Sequence, residues 1–192
     1  MRPEGPVKVG ILISGRGSNM QSLVAASQGP ASAYQIALVA SDKPDAAGLA
    51  WAAERGLATF ALSPKGIGKP AYEAAIDQAL REAGVEVIAL AGYMRLLSGE
   101  FVRRWQGRIL NIHPSLLPLY KGLDTHARAI EAGDAKAGCS VHIVTEQLDD
   151  GEVLGQAEVP ILPDDDATAL AARVLVEEHR LYPQVLTEFV RR

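Results

Sequence analysis

Asn111 and His113 stand two residues apart in the stretch RILNIHPSLLPLYKGLDTH, where an apolar run is broken by Pro114. Alternate residues of a strand point to one face, so both polar side chains are expected to project into one cleft. An amide beside an imidazole suits acyl transfer. The amide N–H can hold a carbonyl oxygen as it gains negative charge, and the imidazole exchanges a proton near neutral pH. A histidine at a strand end is also a common structural residue, so the pair alone leaves both readings open.

Three further segments could do chemistry. Gly15, Arg16, Gly17, Ser18 and Asn19 follow the apolar run VKVGILIS and precede a helical pattern, a place where free backbone N–H groups favour an anion. The third glycine of a dinucleotide fingerprint is replaced by Met20, and the Walker spacing with its lysine is absent. A phosphate monoester therefore suits the loop better than NAD or ATP. The run VEVIALAGYMRLL ends at Gly92, Tyr93, Met94 and Arg95, where an apolar ring could sit, although Met94 and Leu97 also read as core residues. After CSVHIVTEQ comes Leu148, Asp149, Asp150 and Gly151, an acidic turn whose aspartates have ordinary local reasons to be there. All four segments fall just past the carboxyl ends of expected strands, the usual position of ligand sites in open α/β sheets.

The elements that must position these residues alternate in type. Short apolar, β-branched runs predict strands over 8–14, 34–41, 58–62, 86–92, 109–113, 140–145 and 153–160. Helical periodicity predicts helices over 18–27, 46–55, 70–83, 99–105, 125–132 and 167–190. Pro183 is expected to kink or split the last helix, because it lacks a backbone donor and crowds the preceding turn. Gly84 sits where a helix C-cap glycine belongs, and the aspartates 164–166 suit a helix N-terminus better than a metal. The expected fold class is α/β: an open, mostly parallel twisted sheet of about seven strands with helices on both faces, Rossmann-like, forming a single domain over residues 1–192.

Composition closes off several classes. A net charge of -4 and a pI near 5.6, with no basic cluster, argue against nucleic acid as a partner. Cys139 is the single cysteine, which excludes an intrachain disulfide and suits a small buried residue in a strand. The start MRPEGPVKVGILIS lacks the pattern of a signal peptide, and no apolar run is long enough for a bilayer, so no membrane partner and a cytoplasmic location are expected. His113, His126, His142 and His179 fall in no metal-ligand spacing, and no metal is expected. The absence of G-x-S-x-G argues against a covalent acyl-enzyme.

Four stretches together resemble the phosphoribosylglycinamide formyltransferase branch of the folate-dependent formyltransferases: ISGRGSN at 13–19, LAGYMRLLS at 90–98, NIHPSLLP at 111–118 and GCSVHIVTEQLDDGEVLGQ at 138–156. The resemblance spans nearly the whole chain. It implies a Rossmann-like formyltransferase fold and transfer of the formyl group of 10-formyltetrahydrofolate, a co-substrate, to the amine of phosphoribosylglycinamide in purine biosynthesis. It also implies roles. Asn111, His113 and Asp149 match the catalytic trio. Gly17, Ser18 and Asn19 match the loop that holds the substrate phosphate, and Glu178 a carboxylate that contacts the same substrate. Met94, Arg95, Leu96 and Leu97, together with Asn111, match the folate pocket, and Lys69 aligns with a cation near the folate. A homodimer is implied by resemblance only.

A formyltetrahydrofolate hydrolase would use the same trio on water, but an extra N-terminal domain is expected of it. A transformylase acting on charged tRNA is expected to carry a further C-terminal domain. Three positions depart from the family pattern: Lys121 in place of a frequent Pro, Asp124 in place of a His, and Asp150 in place of the first glycine of a D-G-G turn. At Asp150 a glycine would reach backbone angles that aspartate adopts less readily, so the shape of that turn is the point at issue.

Overall fold

The computed structural model describes residues 5–192. The elements follow in the order β1 (Val7–Ile13), α1 (Ser18–Ser27), β2 (Tyr34–Ser41), α2 (Ala47–Glu54), β3 (Thr59–Ala61), α3 (Lys69–Glu82), β4 (Val87–Leu90), α4 (Gly99–Arg104), β5 (Ile109–His113), α5 (Thr125–Glu131), β6 (Lys136–Ile143), β7 (Val153–Pro160) and α6 (Ala167–Arg191). They form a seven-stranded sheet in the order β3-β2-β1-β4-β5-β6-β7. Pairings from β3 through β5 are parallel, whereas β5 with β6 and β6 with β7 are antiparallel.

Strands buried on both faces need apolar residues throughout, and β4 is buried at all four positions. Each face carries its own core. On one, Val9, Ile11 and Ile13 of β1 pack with Leu23 of α1, Leu49 of α2 and Val174 and Tyr182 of α6. On the other, Leu12 and Ile88 pack with Tyr72, Ile76 and Leu80 of α3 and with Phe101 and Trp105, at α4 and its end. Cys139 lies fully buried in β6, where burial pushes its thiol up to about 12. It is an inert core residue.

Several punctuation signals act as expected. Gly84 follows α3 with φ 72, and the Asp166 carboxylate caps α6 by accepting from Ala169 N at 2.7 Å. Its neighbour Asp165 instead holds the Arg173 guanidinium with two bonds of 2.7 and 2.9 Å. Two expectations need correction. The helix α6 is not split at Pro183 but runs unbroken as one element of 25 residues. Leu181, Tyr182, Val185 and Leu186 on either side of the proline are all buried, and the Tyr182 hydroxyl reaches the carbonyls of Leu90 and Leu110 at 2.9 and 3.1 Å. Packing on the sheet thus keeps the helix from splitting despite the missing donor. Strand β6 begins at Lys136, not at 140, because Lys136 to Cys139 pair antiparallel with β7 from Pro160 to Ala157. Small residues such as Ala137 and Gly138 conceal that half of the strand from any reading of hydrophobic pattern.

The strand order reverses between β1 and β4, which opens a crevice at their carboxyl ends, the position where such sheets bind ligands. Strand β5 lies beside β4, so Asn111 and His113 stand next to that crevice. Among the described residues no helix is long and apolar enough to cross a membrane.

Candidate functional site

The loop after β1 enters α1 through Gly17, whose φ of 72 is a left-handed conformation that glycine adopts without a Cβ penalty. The loop is pressed from outside by α2. Gly48 N donates to Gly15 O at 3.1 Å, and a Cβ on Gly48 would come within 3.0 and 3.1 Å of the carbonyls of Gly15 and Arg16. Ser14 joins this loop to the one after β4: its hydroxyl donates to Asp42 at 2.6 Å and accepts from Met94 N at 2.9 Å. Asn19 is buried, its amide is hydrogen-bonded to the Glu178 carboxyl, and its Oδ1 has no partner within the protein. Glu178 reaches this point from α6. Burial pushes its carboxyl up to about 7, opposed by the Asn19 amide.

At β5 the two-residue spacing does what strand geometry requires, and partners then fix each ring and amide. Asn111 is paired across the antiparallel ladder with His142 of β6. The Nδ1 of His142 lies 3.0 Å from the carbonyl of Ile143, which accepts, so Nδ1 carries the hydrogen. Burial lowers the His142 pKa, favouring the neutral ring. Its Nε2 is therefore an acceptor and takes one amide hydrogen of Asn111 at 3.3 Å, which leaves the second Asn111 N–H for the cleft. His113 is fixed by the same logic: its Nε2 donates to the carbonyl of Tyr120 at 2.9 Å, and its Nδ1 faces Asp149 Oδ2 at 3.5 Å. The nitrogen left to exchange a proton is Nδ1.

Asp149 arrives by a route the sequence reading did not anticipate. Because β6 is antiparallel, it ends opposite Leu110 at the amino end of β5, so three of the four segments lie past carboxyl ends at the crevice and the fourth does not. The loop between β6 and β7 instead folds back, placing Asp149 Oδ1 3.7 Å from His142 Nε2 and its Oδ2 2.9 Å from Gly122 N. The left-handed residue in this turn is Asp149 itself, φ 49, while Asp150 has no positive φ and needs no glycine angles. Gly151 is required for space: a Cβ there would lie 1.7 Å from the carbonyl oxygen of Ile143. Asp150 is ion-paired with Lys121, so two of the three positions that depart from the family pattern meet each other.

A cleft of about 750 Å³ brings together Asn19, Met94, Arg95, Leu96, Asn111, His113, Asp149 and Glu178. A smaller cavity of about 210 Å³ adjoins it through Arg95, Leu96, Asn111 and Asp149, and is lined by Leu97 and His142. Met94, Leu96, Leu123 and Leu148 leave apolar surface on the rim, between 54% and 75% exposed. Gly17 and Ser18 stand beside Asn19 at the helix start but do not line the cleft. Lys69 is the first residue of α3 and borders a separate groove with Glu73, Ser98 and Arg104. Among the described residues no group of three or more His, Cys, Asp or Glu side chains is placed to share a metal ion.

Reading residue types missed His142, Tyr120, Gly122, Gly48 and His126. His142 stands on β6 opposite Asn111, a partnership that depends on an antiparallel register no local pattern declares. Tyr120 and Gly122 act through their backbones, for which no residue type is a signal. His126 lines the cleft with an Nδ1 that is buried and has no partner in the protein, and burial lowers its pKa.

Comparison with known proteins gives a consistent result. The profile of the formyl transferase family matches residues 7–186. The phosphoribosylglycinamide formyltransferase of Escherichia coli (strain K12) is 43% identical over 180 residues, covering 93% of this chain and 85% of that protein. The trifunctional purine biosynthetic protein adenosine-3 of Drosophila melanogaster is 44% identical over 186 residues, and the chain spans only 14% of its length. The crystal structure of phosphoribosylglycinamide formyltransferase from Brucella melitensis superposes with a TM-score of 0.93 at 53% identity, covering 97% of this chain and 96% of that one.

Proposed function

We propose that this chain, which belongs to the formyl transferase family, transfers a formyl group from 10-formyltetrahydrofolate to the amine of phosphoribosylglycinamide in purine biosynthesis. The observation that carries this reading is the convergence of Asn111, His113 and Asp149 on one cleft that also holds Asn19 and Glu178. The folate supplies the formyl carbon, which forms a bond to the amine nitrogen as the bond to the folate nitrogen breaks. One amine proton ends on that departing nitrogen.

The protein's own groups supply the rest. The free N–H of Asn111, aimed by His142, stabilises the formyl oxygen as it takes up negative charge. Nδ1 of His113 carries the travelling proton, since Nε2 is committed to the Tyr120 carbonyl. Asp149, whose Oδ2 lies 3.5 Å from that Nδ1, orients the ring. The apolar rim of Met94, Leu96 and Leu148, with Leu97 in the adjoining cavity, suits a flat heteroaromatic ring. The backbone amides at 17–19 suit the phosphate, because a helix N-terminus offers unpaired donors and a favourable dipole. The unpartnered Oδ1 of Asn19 and the Glu178 carboxyl are acceptors for the glycinamide N–H groups.

The experiment is to follow tetrahydrofolate release by absorbance with and without phosphoribosylglycinamide. Release that depends on the amine is expected. Equal release without it would mean hydrolysis, and no release in either case would overturn the assignment.

A further inference from the structure

We propose that Lys121 is a positioning residue which, through its ion pair with Asp150, holds the Asp149 carboxylate against His113; this deepens the reading above and rests on the role given there to Asp149.

Three consecutive residues form a strip along the cleft edge, and each addresses one element of the site. The carbonyl of Tyr120 accepts from His113 Nε2, the ammonium of Lys121 pairs with Asp150, and the N–H of Gly122 donates to Asp149. The strip is well fixed on its far side. The Tyr120 hydroxyl donates to Asp134, and the Arg128 guanidinium donates to the carbonyls of Lys121 and Leu123 at 2.7 and 3.1 Å. The loop that carries Asp149 is a nine-residue excursion, 144–152, between β6 and β7, so its position over His113 depends on what it meets there.

The Gly122 N–H alone is a poor locator. It satisfies one carboxylate oxygen, and the loop's other side-chain tether, Arg103 to Glu146 at 2.9 Å, lies three residues before Asp149 and does not fix its carboxylate. A second bond, from Lys121 just before Gly122 to Asp150 just after Asp149, opposes rotation of the turn about the first. Asp149 needs the help, because it sits at φ 49, a conformation a non-glycine residue leaves readily when its tethers are cut. Neither Lys121 nor Asp150 lines the 750 Å³ cleft, so the pair acts through Asp149 and not by touching a ligand. Their side chains are 38% and 46% exposed, which makes the effect modest and sensitive to salt.

The test compares the full-length wild type with Lys121→Met, Asp150→Asn and the charge exchange Lys121→Glu with Asp150→Lys. Each single variant should lower kcat by about threefold to fivefold, the range an exposed ion pair supports, with the KM for the ribonucleotide unchanged. The charge exchange should restore most of the loss. Added salt should bring the wild type down toward Lys121→Met while leaving that variant level. Amide hydrogen exchange over 147–151 should quicken in Lys121→Met, a readout that does not depend on turnover. Wild-type kcat and wild-type exchange in both single variants would overturn the proposal, and so would a charge exchange no more active than those single variants. In the same assay Asp149→Asn separates the two claims. If it retains wild-type activity, the Asp149 reading has failed and this proposal falls with it. If it is inactive while Lys121→Met is unaffected, only the clasp is wrong.

Discussion

Two carboxylates, Asp149 and Glu178, face one cleft at the same 8% exposure and are supported in opposite ways. Glu178 stands on a long helix that holds it in place, the Asn19 amide meets its carboxyl, and burial raises that carboxyl to about 7. Asp149 stands on a loop, in a left-handed conformation, and is surrounded by the Gly122 N–H, His113 and His142. Rigid secondary structure can carry a poorly solvated acid without help. A loop residue has no such scaffold, so at Asp149 position and chemistry share interactions, the bonds of the carboxylate itself.

The largest expected effect breaks that identity. Asparagine tolerates the left-handed region at least as well as aspartate, so Asp149→Asn keeps the turn and removes the carboxylate. The value of kcat should fall by roughly a hundredfold to ten-thousandfold, the usual range for losing acid–base assistance, with both KM values nearly unchanged. Wild-type steady-state kinetics would reduce Asp149 to a turn residue and erase the contrast.

The other side of the comparison is a matter of stability. An exposed glutamate ionises near 4.5 and folded Glu178 near 7, so the folded state holds its proton over that window. Its contribution is fully present below about pH 4.5 and is lost as pH rises through about 7. Glu178→Gln removes the titration. Relative to the variant, wild type should lose up to roughly 3 kcal/mol of unfolding free energy between pH 4.5 and 7.5. Denaturant melts across that range read it directly, and parallel stability curves would show that Glu178 is solvated after all.

Asn111 tests the shared part of the cleft. Replacing it by Ala removes a donor aimed at charge that develops only in the transition state, so kcat should drop about a hundredfold with little change in either KM. A variant within a fewfold of wild type would place the oxyanion elsewhere.

How far the sequence could be read follows the same division. The loop after β1 was legible because its conformation is written in residue types: glycines, then a helix start, then a polar residue at the right place. Asn111 and His113 were legible because a two-residue spacing at a strand end has one geometric meaning. The route taken by Asp149 was not, since it depends on β6 being antiparallel, and strand direction is a property of the partner and not of the segment. The same holds for the Tyr120 carbonyl and the Gly122 N–H, which act through the backbone, although the φ of 84 at Gly122 is one that glycine suits. Pro183 misled for a related reason: the local cost of a proline is fixed, but the packing of Leu181, Tyr182, Val185 and Leu186 that offsets it is tertiary.

Smaller effects than these are expected at two glycines that hold the two loops by close approach. Gly151 lies so near Ile143 that an added Cβ would stand 1.7 Å from its carbonyl oxygen, a distance no side-chain adjustment relieves. The backbone must move, and Asp149 is two residues away. Gly48 is more forgiving, because its Cβ would meet Ile13 Cδ1 at 2.5 Å, the end of a flexible side chain, and the carbonyls of Gly15 and Arg16 at 3.0 and 3.1 Å. Gly151→Ala should therefore lower kcat by about tenfold or more, in line with the sensitivity of oriented catalysis to small displacements, while the KM for the ribonucleotide holds. Gly48→Ala should do the reverse, raising that KM by about twofold to fivefold through a shift of the phosphate loop and leaving kcat near wild type. Measuring both constants for both variants makes the pair decisive. If each substitution changed kcat and KM together, the two loops would be one mechanical unit, and the separation between a helix-borne and a loop-borne carboxylate would lose its meaning.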